Sequence, residues 1–155
     1  MTFENQSAEA DSEREIISKR IIAVPRETLF KAFSDPDQLA RWWGPKGFTS
    51  TFEVFDFRPG GTWRFTMHGP NGANYPNEHH FTGVVSPERI VYQHVQPPMH
   101  SFTMIMTFAE RDGKTELTWL MRFESVAEVA KLRDFIAGAN EQNFDRLEAY
   151  LNSMA

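Results

Sequence analysis

The chain has 155 residues, a net charge of −5 and no cysteine. This length predicts a single domain, and the absence of cysteine excludes disulfides, thiolate metal sites and a cysteine nucleophile. The acidic balance argues against a general nucleic-acid binder, and no apolar run approaches the roughly 20 residues of a membrane span. The acidic, polar N-terminus does not have the features of a secretory signal. We therefore expect a cytoplasmic protein with a flexible tail over residues 1–12 and one domain over residues 13–155.

The N-terminal part predicts one strand followed by two short helices. Isoleucines within residues 16–24 favour a strand, and Pro25 suits the first position of the helix that follows. Asp35 is a predicted N-cap of the second helix. That helix carries Trp43 near its end, where Gly44 suits a left-handed backbone and the next proline stops the helix.

From residue 47 onward the apolar period changes to two, which is typical of strands. Turn signals occur at residues 59–61, 69–72, 86–87, 96–98 and 112–113. These five turns separate six strands, and such short connections permit only antiparallel pairing. Asp112-Gly113 is the strongest signal, because both central residues of a type I′ turn need a positive φ. The register of the strand at 48–57 stays open, because Phe52 and Val54 compete with Phe55 and Phe57 for the inner face.

Alternation along these strands predicts one strongly apolar sheet face. The predicted inward rows are Trp63, Phe65 and Met67; Phe81, Gly83 and Val85; Ile90, Tyr92 and His94; Phe102, Met104, Met106 and Phe108; and Leu117, Trp119, Met121 and Phe123. After Ser125, a predicted N-cap, the period becomes 3.6 to about Leu151. A helix of this length, about 40 Å, must bury its stripe, which includes Ile136 and Asn140, against the apolar face.

The order strand, two short helices, six antiparallel strands and one long helix resembles the helix-grip fold of the START-like (SRPBCC, Bet v 1-like) superfamily. Six motifs, at residues 23–27, 33–36, 41–45, 56–61, 86–92 and 145–147, narrow the resemblance. They are similar to bacterial relatives of the C-terminal domain of the activator of heat-shock protein 90 ATPase, over roughly residues 13–152. The resemblance implies an α+β fold in which a curved antiparallel sheet of about seven strands wraps round a long C-terminal helix.

The resemblance also implies a hydrophobic cavity between the sheet and the helix. Relatives often carry a Gly-Trp pair ahead of the final Asp-Arg-Leu, whereas this chain has Ala139-Asn140-Glu141-Gln142, which alters one end of the cavity. The name implies a chaperone partner, but the eukaryotic protein has an additional N-terminal half that this chain lacks, so we do not expect that role. A homodimer is a further possibility that no motif specifies.

We predict that the cavity binds a small hydrophobic or amphipathic molecule, without a cofactor or a metal. The predicted ligand-binding residues are Trp43, Trp63, Phe65, Met67, Phe81, Tyr92, His94, Phe102, Met104, Met106, Trp119, Met121, Ile136 and Asn140. The methionines suit either a deformable pocket or plain core packing, because thioethers fill irregular space. The tryptophan pair at 42–43 suits either a ligand gate or a plug of the core, and we favour the plug.

Three polar groups leave alternatives open. Tyr92 and His94 share a face and could orient a ligand, act as an acid–base pair in a cyclase-like or hydratase-like enzyme, or lie at the rim bonded to water or backbone, and we favour the rim. We assign no catalytic residue. His79 and His80 point to opposite faces of a strand, so we interpret them as surface residues and not as metal ligands. The Asp56 carboxylate and its arginine neighbour at 58 could line the cavity, but we expect them to brace the turn that follows.

Overall fold

The computed structural model describes residues 13–95 and 101–154 of the chain. Its elements are β1 (Glu15–Ile22), α1 (Arg26–Ser34), α2 (Pro36–Trp42), β2 (Thr49–Phe55), β3 (Thr62–His68), β4 (Asn74–Val85), β5 (Arg89–His94), β6 (Phe102–Arg111), β7 (Lys114–Phe123) and α3 (Val126–Met154). The predicted tail at 1–12 and the predicted turn at 96–98 lie outside the described residues, as does residue 155. No helix in the described part of the chain is long and apolar enough to cross a membrane.

The seven strands form one sheet in the order β1-β7-β6-β5-β4-β3-β2. Every neighbouring pair is antiparallel, and α3 packs against β1 and β7. The predicted α+β helix-grip fold is therefore confirmed. The turn at Asp112 and Gly113 has the predicted backbone, with φ angles of 52° and 81°.

A bulge in β2 resolves the register that the sequence leaves open. Phe52 lies opposite Phe65 and Phe55 lies opposite Trp63, and the register shifts between Phe52 and Val54. A bulge adds one residue to one strand of a pair. As a result, the consecutive side chains of Glu53 and Val54 both point outward, and Phe52 and Phe55 both point inward. Neither of the two simple alternations along this strand is correct throughout.

A second bulge corrects the predicted row on β4. The register shifts between Phe81 and Gly83, so Val84 lies opposite Ile90 and packs against the core. Val85 is 52% exposed. The prediction that Gly83 and Val85 follow Phe81 on the inner face is therefore wrong, because the extra residue reverses the alternation.

The helix caps follow the sequence closely. Asp35 Oδ1 accepts a hydrogen bond from the Asp37 N–H at 3.0 Å, and Ser125 Oγ accepts one from the Glu128 N–H at 3.2 Å. These bonds satisfy N–H groups that have no partner inside the helix. Pro25 is the N-cap of α1, with an extended backbone, and not the first helical residue as predicted; the helix begins at the next residue.

Candidate functional site

A cavity of about 150 Å³ lies between the inner sheet face and α3. Strands β3 to β7, helix α3 and the segment that follows α2 supply its wall. The lining residues are Trp43, Gly44, Pro45, Phe65, Met67, Asn77, His79, Tyr92, His94, Phe102, Met104, Trp119, Met121, Ala139, Asn140 and Asn143. Most of these side chains are apolar, and none of the described residues in the wall carries an Asp, Glu, Lys or Arg side chain.

The cavity brings together most of the residues that we predict from sequence. Those in its wall are Trp43, Phe65, Met67, Tyr92, His94, Phe102, Met104, Trp119, Met121 and Asn140. Three others, Trp63, Phe81 and Met106, instead surround a gap of only about 10 Å³ within the aromatic core. Ile136 is half-buried and packs against the core. These four therefore lie outside the cavity wall and belong to the packed interior.

The structure adds wall residues that sequence reasoning missed. These are Gly44, Pro45, Asn77, His79, Ala139 and Asn143. Our interpretation of His79 as a surface residue is wrong, because it is only 3% exposed. A signal was present in the sequence, since Asn77 and His79 stand four and two residues before Phe81 and therefore share its face of a strand. The exposed neighbour, His80, fits the prediction.

Two histidines face each other inside the sheet. His79 on β4 is the cross-strand partner of His94 on β5, and their ring centroids are 5.0 Å apart. His79 stacks on Tyr92 at 4.1 Å, and His94 stacks on Phe102 at 5.1 Å. His94 and Tyr92 are 2% and 1% exposed, so the rim alternative is wrong for both.

Burial keeps these groups uncharged at neutral pH. Desolvation, together with the nearby His94 and His80, lowers the pKa of His79 well below its usual value. Desolvation also lowers the pKa of His94 to about 4 and raises the pKa of Tyr92 above its usual value. Both histidines are therefore neutral imidazoles at pH 7, and Tyr92 keeps its proton.

Several polar atoms of the wall residues have no hydrogen-bond partner in the described part of the chain. Among the described residues, no group forms a hydrogen bond with His79 Nδ1, with either ring nitrogen of His94 or with Trp119 Nε1, and all four atoms are buried. Buried polar groups are normally hydrogen-bonded. These four atoms belong to residues of the cavity wall, but each is itself buried behind the mostly apolar surface that the cavity presents.

Two asparagines contribute further polar atoms. Asn140 Nδ2 donates to Ser18 Oγ at 3.2 Å and to Met121 Sδ at 3.5 Å. Asn77 Nδ2 donates to the Tyr75 carbonyl at 2.9 Å. In the described part of the chain, no donor is bonded to the side-chain carbonyl oxygen of either asparagine. The wall therefore offers hydrogen-bond acceptors at Asn77 and Asn140.

Two other α3 residues hold the end of α2 against the cavity. Asn143 Nδ2 donates to the Trp42 carbonyl at 2.9 Å, and its Oδ1 accepts from the Gly44 N–H at 3.2 Å. The Arg146 guanidinium donates to the Gly44 carbonyl at 2.9 Å and to the Pro45 carbonyl at 3.2 Å. Burial lowers the pKa of Arg146. The Asn143 bond satisfies the Trp42 carbonyl, which the short helix leaves unpaired, and together these bonds fix Trp43 in the wall.

Asp56 and Arg58 do not belong to the cavity. Arg58 Nε donates to both Asp56 carboxylate oxygens at 2.9 Å beside the turn at 59–61, as the bracing interpretation predicts. Among the described residues, no group of three or more His, Asp or Glu side chains is arranged to hold a metal ion.

Comparison with known proteins places this architecture in a family. The family model described as Activator of Hsp90 ATPase homolog 1-like protein matches residues 23–152. No curated protein matches the chain.

Solved structures of bacterial proteins share the fold. A Nitrosomonas europaea protein superposes with a TM-score of 0.84 at 21% identity, covering 93% of this chain and 97% of that one. An Arthrobacter aurescens protein superposes with a TM-score of 0.85 at 20% identity, covering 92% of this chain and 88% of that one. A Mycobacterium smegmatis protein superposes with a TM-score of 0.80 at 25% identity, covering 93% of this chain and 94% of that one.

Proposed function

The chain belongs to the Activator of Hsp90 ATPase homolog 1-like family, and we propose that it binds a small apolar or amphipathic molecule between the sheet and α3. The observation that carries this proposal is the cavity of about 150 Å³, whose mostly apolar wall includes asparagine oxygens that accept no hydrogen bond from the described residues. Ligand sites typically combine an apolar lining with a few polar groups that fix orientation.

The cavity volume limits the size of the ligand. An apolar cavity of about 150 Å³ is large enough to bind benzene, whereas pockets for drug-sized molecules measure roughly 300–1,000 Å³. The ligand that fits this wall is therefore about the size of one aromatic ring. A molecule with several fused rings would extend out of the cavity or need the wall to move.

The pKa values favour binding over acid–base catalysis. A general acid or base works best when its pKa lies near the operating pH. Burial moves the pKa of His94 to about 4 and raises that of Tyr92, so both move away from neutrality. Neutral side chains of this kind are suited to hydrogen bonding and stacking. A chaperone partner, which we do not expect, and a homodimer, which no motif specifies, stay alternatives from sequence.

Thermal unfolding with added benzene, toluene and indole tests the proposal. A compound that binds only the folded state raises the free energy of unfolding, by about 2.7 kcal/mol at 100 times its dissociation constant. We expect at least one of these compounds to raise the melting temperature in a saturable way. If none does so up to its solubility limit, the proposed function is wrong.

Two variants in which an alanine of α3 is replaced by leucine locate the site. Ala139 lines the cavity, so Ala139→Leu should fill part of it and abolish the melting shift. Ala149 is exposed on the same helix, and Ala149→Leu should leave the shift unchanged. Equal shifts in the two variants would place the binding elsewhere on the molecule.

A further inference from the structure

We infer that the cavity selects an uncharged single-ring molecule that carries a hydrogen-bond donor, as a phenol does, and that Asn140 accepts that hydrogen bond. This inference rests on the proposed function and specifies the ligand class. It depends on which polar atoms of the wall are already occupied, on the charges near the cavity and on its volume.

The amide orientation of Asn140 is determined by its neighbours. Met121 Sδ, 3.5 Å from Asn140 Nδ2, can only accept a hydrogen bond. The amide nitrogen must therefore face the thioether, and its second hydrogen is directed to Ser18 Oγ at 3.2 Å. Both N–H donors of Asn140 are thus occupied, which leaves the carbonyl oxygen as the group available to a ligand.

The other polar groups of the wall support a ligand with a hydroxyl group. Asn77 has its nitrogen bonded to the Tyr75 carbonyl, which again leaves an acceptor oxygen. Tyr92 keeps its proton, because burial raises its pKa, and none of the described residues bonds to its hydroxyl. A ligand hydroxyl could donate to an asparagine oxygen and accept from Tyr92, which uses both of its hydrogen-bonding functions.

The absence of charge in the wall argues against ionised ligands. None of the described residues in the wall is an Asp, Glu, Lys or Arg, and the two histidines are neutral at pH 7. Moving a carboxylate from water into such a site without a partner is costly. A phenol stays neutral at this pH, because the pKa of a phenolic hydroxyl is about 10.

Binding of phenol, anisole, toluene and benzoate to the purified protein, measured by calorimetry at pH 7, tests the inference. Anisole has the same ring and oxygen as phenol but cannot donate. We expect phenol to bind about five- to tenfold more tightly than anisole, the contribution of one net hydrogen bond. We expect no measurable binding of benzoate.

The Asn140→Leu variant identifies the acceptor. Leucine is close in shape to asparagine but has no carbonyl, so the phenol-to-anisole preference should fall to about one while toluene still binds. Asn152→Leu, the same substitution at an exposed position of α3, is the matched control and should retain the preference. If Asn140 had only a structural role, the variant would bind phenol, anisole and toluene more weakly to the same extent, and the ratio of phenol to anisole affinity would stay unchanged.

The outcomes separate this inference from the proposed function. If toluene binds but phenol shows no advantage over anisole, the selectivity inference is wrong and the proposed function stands. If the preference persists in Asn140→Leu, the assignment of Asn140 is wrong. If benzoate binds as tightly as phenol, the exclusion of charge is wrong. If no neutral ring compound binds, both proposals fail.

Discussion

His79 and His94 lie directly opposite each other on β4 and β5, with their ring centroids 5.0 Å apart and both side chains buried. Each is also stacked on an aromatic ring, His79 on Tyr92 and His94 on Phe102. Protonation of either imidazole would place a charge in this apolar interior. The pair therefore couples the stability of the fold to pH.

We expect the free energy of unfolding to decrease as the pH falls from about 6.5 to about 4. The folded pKa of His94 is about 4, below its ordinary value of 6.5, so the unfolded chain binds the proton first. The stabilisation is complete above the unfolded pKa and is lost as the pH falls towards the folded pKa. His94 alone should account for roughly 2–3 kcal/mol. Urea unfolding across this pH range measures the decrease.

His94→Phe should reduce this pH dependence. Phenylalanine retains the stacking on Phe102 and removes two buried nitrogens that have no partner among the described residues. We expect equal or greater stability at pH 7, by up to about 1 kcal/mol, and a shallower decrease below pH 6.5. His80→Gln, at an exposed position, should keep most of the slope. An unchanged slope in His94→Phe would contradict the assignment.

Arg146→Lys should destabilise the protein although the charge is kept. The guanidinium donates to three consecutive backbone carbonyls at the end of α2, those of Trp43, Gly44 and Pro45. All three contacts come from Nη1, and Nη2 reaches the Arg41 carbonyl at 3.5 Å. A lysine ammonium has a single nitrogen and would lose this second point of contact. We expect a loss of about 1 kcal/mol, measured by urea unfolding. Arg111→Lys, at an exposed position paired with Glu116, should change the stability little. Equal losses of stability in the two variants would contradict this role of Arg146.

Gly44→Ala and Gly138→Ala should have opposite effects. Gly44 has a φ of +109°, and an added Cβ would lie 2.8 Å from Met67 Cε, so we expect a loss of at least about 1 kcal/mol. Gly138 lies within α3 and has no atom within 4 Å of the added Cβ. Alanine there should stabilise the helix by about 0.5–1 kcal/mol. Thermal and urea unfolding compare the two, and a stabilising Gly44→Ala would contradict the geometry.

Arg20→Met should destabilise the contact between β1 and α3 in a salt-dependent way. Arg20 contacts three carboxylates of α3, Glu141 at 2.8 Å and Asp145 and Glu148 at 2.7 Å. Burial by itself would lower the pKa of Arg20, but these hydrogen bonds outweigh it and raise the pKa. The carboxylates are largely exposed, so we expect a loss of only about 1 kcal/mol.

The Arg20→Met loss has a distinctive control. Without the arginine, the three like charges repel each other on one helix, so high salt should improve the stability of the variant relative to wild type. Adding Glu148→Gln should recover part of the loss by removing one charge. A loss that is the same at low and high salt would indicate that Arg20 acts through packing on Phe144.

The local structure follows from the sequence because its signals lie between near neighbours. Asp35 and Ser125 cap helices through their own side chains, and Asp112-Gly113 turns a hairpin through its own φ angles. The period-two rows likewise predict the inner sheet face, and one long apolar stripe can only be buried against it. Such features need no knowledge of distant residues.

The tertiary structure alone decided which aromatic residues enclose a cavity and which fill the core. Trp43 lines the cavity whereas Trp63, which is also buried, does not, and a single extra residue in β2 and in β4 redirected Phe55 and Val84 inward. The cavity volume is a small difference between the space enclosed by seven strands and three helices and the volume of the side chains within it. No single segment of sequence contains that difference, because every element contributes to it.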